Sequence, residues 1–218
     1  MNRTAKALTV AALLSVGTAT LAGFALKNSG GAIETTASTE ITQAAGAYEV
    51  DKVHSNILFK IRHGGLAYFY GHFDSFSGTI DIDPENIEDA KFSITVRTSS
   101  VDTGNRTRDG HIKDADFFNA RQYTEAIFTS TGVKMTSDGV YELAGDFAFH
   151  GETNPVTATL TDVTFGEQQG KDAMGFHAVF SIKRSEFNMM KYVNPSDPES
   201  GALGDNVDII VSMEAVID

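Results

Sequence analysis

The chain has 218 residues, no cysteine and no tryptophan, and carries 17 basic against 29 acidic side chains for a net charge of −12. A surface this acidic repels phosphate backbones, which excludes nucleic acid as a partner. Without cysteine there is no disulfide, no thiolate chemistry and no lipid-modified N-terminal cysteine, so stability must come from burial.

Residues 1–26 read as an export segment. Arg3 and Lys6 precede an apolar run from Ala7 to Leu26 that is rich in Ala, Leu and Val, with small residues at Leu21-Ala22-Gly23 for a signal peptidase. The run is long enough to cross a bilayer, so cleavage as a signal peptide and retention as an N-terminal membrane anchor both fit. Residues 27–46 are Ser, Thr, Ala and Gly with almost no large apolar side chain, the composition of a flexible linker. Removing residues 1–46 takes away Arg3, Lys6, Lys27, Glu34 and Glu40 and leaves 14 basic against 27 acidic, a net charge of −13. The remaining 172 residues, 47–218, are enough for one domain.

From there the hydrophobic period is two. Ile57, Phe59 and Ile61 alternate with Leu58, Lys60 and Arg62, and Phe92, Ile94 and Val96 alternate with Ser93, Thr95 and Arg97. Tyr141, Leu143, Phe147 and Phe149 repeat the pattern, as do Phe176, Ala178, Phe180 and Ile182, and then Val207, Ile209, Val211 and Met213. Turns are signalled at Asp83-Pro84, Ser137-Asp138-Gly139, Asn154-Pro155 and Gln168 to Lys171. The sum is about eight strands, which suits a closed antiparallel barrel with no exposed edge. A barrel of that size is either filled by side chains or left wide enough for one ligand, and the pattern alone fits both.

Between these strands, Thr103 to Phe118 concentrates charge and aromatic bulk. Ile112, Ala115 and Phe118 recur at a spacing of three, predicting a short helix with one apolar side that caps or braces the barrel. Gly104-Asn105 supplies the turn before it, and Asp109 suits its positive end.

Candidate chemistry is sparse. His54 and Ser55 are adjacent on a strand and so point to opposite faces, which argues against a base and nucleophile pair. The six histidines show no H-x-H or H-E-x-x-H spacing, so no metal site is expected. Arg108, Asp109 and His111 form a compact charged set that fits tethering of the helix first, contact with a ligand headgroup second and catalysis last. Lys183-Arg184 precedes Ser185-Glu186-Phe187 and then Asn188-Met189-Met190, a strand end whose thioethers also suit a lip around an incoming hydrocarbon. Tyr68-Phe69-Tyr70, after Gly64-Gly65, fits either core or the lining of an entrance.

Thr103, Arg108-Asp109, His111-Ile112 and Phe117-Phe118 together resemble the central signature of the YceI-like family of bacterial envelope proteins. Further landmarks extend the resemblance from Tyr48 to Ala215: Asp51 with His54-Ser55, His63 with Gly65, Gly71 with Phe73, Phe76 to Ile80, Gly145-Asp146, His150-Gly151, Arg184 to Phe187 and Gly204-Asp205. The chain departs from the pattern at Gly64, where a larger apolar residue is usual, at Thr124, where Pro is common, and at Asn188, where Gly often follows the phenylalanine.

The resemblance implies an all-β fold, an antiparallel eight-stranded lipocalin-like barrel with an elongated apolar cavity, and the binding of long polyisoprenoid or fatty chains. It tips the choice above toward an open tunnel. The ligand would then lie against the inward-phase Phe59, Ile61, Phe92, Ile94, Phe147, Phe149, Phe180 and Ile182 and against His63, Phe73 and Phe118, with Tyr68 and Met189 toward the entrance. His54, Thr103, Arg108, Asp109, His111, Phe117 and Arg184 would be structural. The expected activity is that of a non-enzymatic, exported carrier of the cell envelope or periplasm that requires no cofactor. Its passenger would be a hydrophobic long-chain small molecule such as an isoprenoid quinone, and its other partners a membrane through the N-terminal tether and a second copy of the chain. A solid-cored envelope interaction or stress-response module is the alternative, and a lipid-acting enzyme using His54 or His111 as base the third reading.

Overall fold

In the computed structural model of the chain, residues 43–217 are described. The expected export segment and all of the linker before residue 43 lie outside them. Eleven strands and one helix follow in order: β1 (Gly46–Val50), β2 (Asn56–His63), β3 (Ala67–Phe73), β4 (Phe76–Asp83), β5 (Asn86–Arg97), β6 (Val101–Asp102), α1 (Arg106–Lys113), β7 (Glu125–Ser137), β8 (Val140–Phe149), β9 (Glu152–Gln168), β10 (Lys171–Lys183) and β11 (Leu203–Ile217). β1 already contains Gly46, which was expected to belong to the linker.

Eight of the strands close a ring in the order β1, β4, β5, β7, β8, β9, β10, β11 and back to β1, every pairing antiparallel. Closure leaves no open edge around that ring. β2, β3 and β6 prolong three of its members beyond a break. The C-terminal end of β11 pairs with β1, as Val216 opposite Glu49, while its N-terminal half pairs with β2, as Ile209 opposite Phe59. β1 and β2 are thus two halves of one bent stave.

Each break is held by polar side chains standing in for the missing ladder. At the β1 to β2 elbow, Ser55 Oγ accepts from Glu214 N–H at 3.0 Å and donates to Glu214 C=O at 3.2 Å. Asp51 accepts from Val53 N–H at 2.9 Å, and its other oxygen lies 2.7 Å from His54 Nδ1. That contact lowers the Asp51 pKa and raises that of His54. Between β5 and β6, the buried Thr98 donates its N–H to Thr124 C=O at 3.0 Å and its hydroxyl to Tyr123 C=O at 2.7 Å. β6 then pairs only with β3, leaving the barrel wall beside it to be completed by α1 and residues 114–124.

The tight hairpins fall where the turn chemistry predicts, with one exception. Asn154-Pro155 lies inside β9, with Pro155 opposite Asp146 of β8. The ladder from β9 to β10 runs only from Gln168 to Thr159, so Pro155 has no neighbour there and its missing N–H costs nothing. The turn before β9 is instead His150-Gly151, both at positive φ of 51° and 86°, as a two-residue hairpin loop requires.

The interior divides along its length. Toward the end bearing the turns after β4, β7 and β9, side chains fill the barrel: Tyr48, Ile80, Leu160 and Met213 are almost wholly buried, and the Tyr48 hydroxyl donates to Ala44 C=O at 2.6 Å. Toward the other end the wall surrounds an open space.

Candidate functional site

That space has a volume of about 770 Å³, within the range of small-molecule sites. Its wall is carbon almost throughout, from β2, β3, β5, β7, β8, β9, β10 and β11, because the inward phase of each strand is apolar. Phe59, Ile61, His63, Phe73, Phe92 and Ile94 all face it, as do Phe118, Phe147, Phe149, Phe180, Ile182 and Met189. Rings interlock along one side: Phe147 meets Phe180 and Phe187 edge to face at 5.7 and 5.6 Å, and Phe118 meets Phe149 at 5.2 Å.

Tyr68 does not belong to this set. It lies opposite Arg62 in the β2 to β3 hairpin, on the outward phase, and the cationic groups of Lys60 and Arg62 sit over its ring at 4.8 and 5.2 Å. Its neighbour Phe69, opposite the inward Ile61, takes the lumenal position instead. Phe128, Phe176, Val207, Ile209 and Val211 also line the space, beyond the ligand contacts expected from sequence. Phe176, Val207, Ile209 and Val211 carry the period-two signal that would have found them, as does Phe128 two residues after the inward Ala126.

The mouth is built by α1 and by the segment after β10. Asn105 caps the helix, its side-chain oxygen accepting from the N–H groups of Thr107 and Arg108. The helix stops at Lys113, short of the expected span, and Ala115 is exposed. Phe118 reaches the lumen through a tight turn in which its N–H bonds to Ile112 C=O at 2.9 Å and Asn119 takes a φ of 44°.

Arg108 and Asp109 meet on Thr103, not on each other. The Thr103 N–H and hydroxyl donate to Asp109 Oδ1 at 2.9 and 2.6 Å, while Arg108 donates Nε to the Thr103 hydroxyl at 2.7 Å and Nη2 to its carbonyl at 2.6 Å. Arg108 also lies over the Phe69 ring, 4.6 Å from its centroid, fastening the helix to β3. The Thr103 hydroxyl is the main cause that lowers the Asp109 pKa, helped by the Thr103 N–H and the charges of Lys113 and Arg108. A lowered carboxylate contributes stability above its unfolded value of 3.8 and loses it as pH falls through the folded value. Asp109→Asn should therefore lower the melting temperature at neutral pH, and the difference from the parent should shrink in acid; a pH series of thermal melts measures it.

Arg184 sits on the opposite rim, buried at 5 % exposure and facing four backbone carbonyls. It donates to Gly204, Met189, Lys191 and Leu203 at 2.9, 3.1, 3.0 and 3.2 Å. Burial lowers its pKa, and the charges of Asp205 and Glu199 work in the opposite direction. Asp205 holds the Ser185 N–H and hydroxyl at 2.8 and 2.7 Å. The lip from Met189 to Gly204 is thereby pinned to the start of β11. Gly64 and Asn188, two departures from the family pattern, both take left-handed backbone at φ of 57° and 58°. Asparagine tolerates this better than most side chains.

His111 and Phe117 line the mouth, where Phe117 packs on Tyr192 at 6.1 Å and Lys191 pairs with Asp116. Lip and helix loop are thus joined across the opening. His54 does not line the space; it belongs to the elbow described above. Outside the barrel, the exposed His72 and Asp74 and the half-buried Asp102 bring their ligand atoms within 4.8 Å of one another where β3 meets β6, a convergence that sequence spacing does not show. No helix among the described residues is long and apolar enough to cross a membrane.

The YceI-like domain matches residues 48–215. Protein YceI of Escherichia coli is 37% identical over 175 residues, covering 79% of this chain and 87% of that protein. A crystal structure of the Campylobacter jejuni YCEI protein is 28% identical, with a TM-score of 0.63 over 77% of this chain and 96% of that one. A polyisoprenoid binding domain from Saccharophagus degradans shares the fold at 15% identity, with a TM-score of 0.60 over 78% of this chain and 98% of that one. The match to the family's domain across the whole barrel and the identity to the Escherichia coli protein lead to one conclusion: the chain belongs to the YceI-like family.

Proposed function

We propose that this protein is an exported, non-enzymatic carrier that takes a single long hydrocarbon chain, an isoprenoid or a fatty amphiphile, into the hollow half of its barrel. The observation that carries the reading is the 770 Å³ space walled by phenylalanine, isoleucine and valine and opening through a polar rim. The polyisoprenoid binding domain of the same fold supports the chemical class. Burying about fifteen methylenes at ~0.8 kcal/mol each yields ~12 kcal/mol before ordering costs, whereas a neutral hydrogen bond nets only about 1 kcal/mol. Affinity would reside in the tail, and Arg108, His111 or Lys191 at the rim would orient a polar head, which a quinone or a simple alcohol both provide. Mass spectrometry of organic extracts from protein purified without detergent tests this: a long-chain lipid should appear near one per protein. Empty preparations that also fail to take up added polyprenol or fatty alcohol would refute it.

Export is proposed from residues 1–26, and recovery of the protein in the cytosolic fraction with its N-terminus intact would refute it. The Lys191 to Asp116 contact across the mouth is expected to slow exchange. Exposed ion pairs add little stability, so Asp116→Ala should leave the melting temperature nearly unchanged while releasing a fluorescent fatty acid severalfold faster in stopped-flow displacement.

A further inference from the structure

We propose that Phe92 and Phe176 form the floor of the hollow and set the length of hydrocarbon it accepts, an inference that rests on the carrier reading above. Phe92 reaches in from β5 and Phe176 from β10, and their rings meet edge to face at 5.4 Å with an interplanar angle of 83°. Both are buried, at 1 % and 6 % exposure.

The division between hollow and packed core runs at this level on each strand that crosses it. On β5, Ile94 lines the space and Ala90, on the far side of Phe92, is buried outside it; on β10 the same holds for Ala178 and Met174 about Phe176. On β9, Ala158 lines the space and Leu160, 0 % exposed, does not. A chain entering at the mouth thus ends on the two rings, with close-packed core behind them. Aromatic rings make an unyielding stop because, unlike methionine, they have no flexible stem to fold away. From Phe176 to Ile182 the wall rises roughly 20 Å along the strand at about 3.4 Å per residue, so the hollow has a defined depth.

Depth becomes specificity through the hydrophobic effect. Each methylene that fits improves affinity about fourfold, and each one left protruding into water adds nothing. Affinity for a homologous series should rise steeply with length and then break. Below the break the tail does not reach the floor; above it the surplus hangs outside.

The test is the dissociation constant of the full-length protein for straight-chain fatty alcohols of about eight to twenty-four carbons, measured by displacement of a fluorescent fatty acid. Phe92→Ala removes six ring carbons and should move the break up by about four methylenes, allowing for partial collapse. Phe92→Leu and Phe176→Leu should move it up by about two, and serve if the alanine variant does not fold. Ala158→Leu, which adds bulk at the floor, should move it down. Phe180→Ala, high in the wall, should weaken all lengths without moving the break. A break at the parental length in the folded floor variants overturns the ruler and leaves the carrier reading standing; a parent protein that takes up no alcohol of any length overturns both.

Discussion

Arg184→Leu is expected to lower stability by about 3–5 kcal/mol, because four carbonyls lose one buried cationic donor and none gains a replacement. For a barrel of this size that is a fall of roughly 6–20 °C in melting temperature. Leucine keeps much of the apolar bulk, so the loss reports the hydrogen bonds more than a cavity. Arg184→Lys should recover little, since a single ammonium cannot satisfy carbonyls fanned around a planar guanidinium. The damage should also be local. Amide exchange should accelerate first in residues 189–204, the lip that the guanidinium holds against the start of β11, before the β5 to β10 wall responds. Calorimetry gives the first number and hydrogen exchange the second; a melting temperature within 2 °C of the parent, by the same scaling, would show that the carbonyls find other partners.

Ala178→Trp should sharply weaken uptake of long chains while leaving the barrel folded. Ala178 lies one inward step above the floor on the lumenal face of β10, between Phe176 and Phe180, and its methyl borders open space. An indole there occupies volume that the fold itself does not need. If it denies a ligand half of its buried methylenes, the gross loss is ~6 kcal/mol, about four powers of ten in affinity. Partial occupancy of the remaining depth would soften this, so the expected observation is at least a hundredfold weakening in fluorescence displacement. Circular dichroism and the melting temperature should stay near those of the parent. A plug that unfolds the protein without a change in the affinity of the folded fraction would contradict the picture of unfilled space.

The strands were legible wherever period two alone decides the outcome. Phe59, Ile61, Phe92, Ile94, Phe147, Phe149, Phe180 and Ile182 face inward because alternate residues must share a face. Where a turn sets the register, pattern was not enough: Tyr68 and Phe69 are both aromatic, and only pairing across the Gly64-Gly65 turn places Phe69 opposite Ile61. The outward phase of Lys60 and Arg62 was the available clue. Spacing alone overextends the helix, because Ile112, Ala115 and Phe118 keep a helical period that the chain abandons after Lys113, where tertiary contact draws Phe118 inward.

Arg184 illustrates a different limit. Its partners are backbone carbonyls, which carry no side-chain signature, so only the family resemblance, and no pattern of the residues around it, sets it apart from any arginine at a strand end. The same applies to two of the three breaks that bend the staves, which Ser55 and Thr98 hold through main-chain groups. Whether the barrel is filled or hollow depends on volumes, not on pattern. Ala126, Ala158 and Ala178 occupy inward positions where larger residues would close the space, while Tyr48, Leu160 and Met213 fill the other half.

A crystal structure of protein purified from its native compartment without detergent tests the hollow most directly. Continuous elongated density should run from the Phe92 and Phe176 rings to the mouth beside the Phe117 and Tyr192 contact. An upper barrel closed by the rings of Phe59, Phe147, Phe149 and Phe180, with no room for a chain, would contradict it.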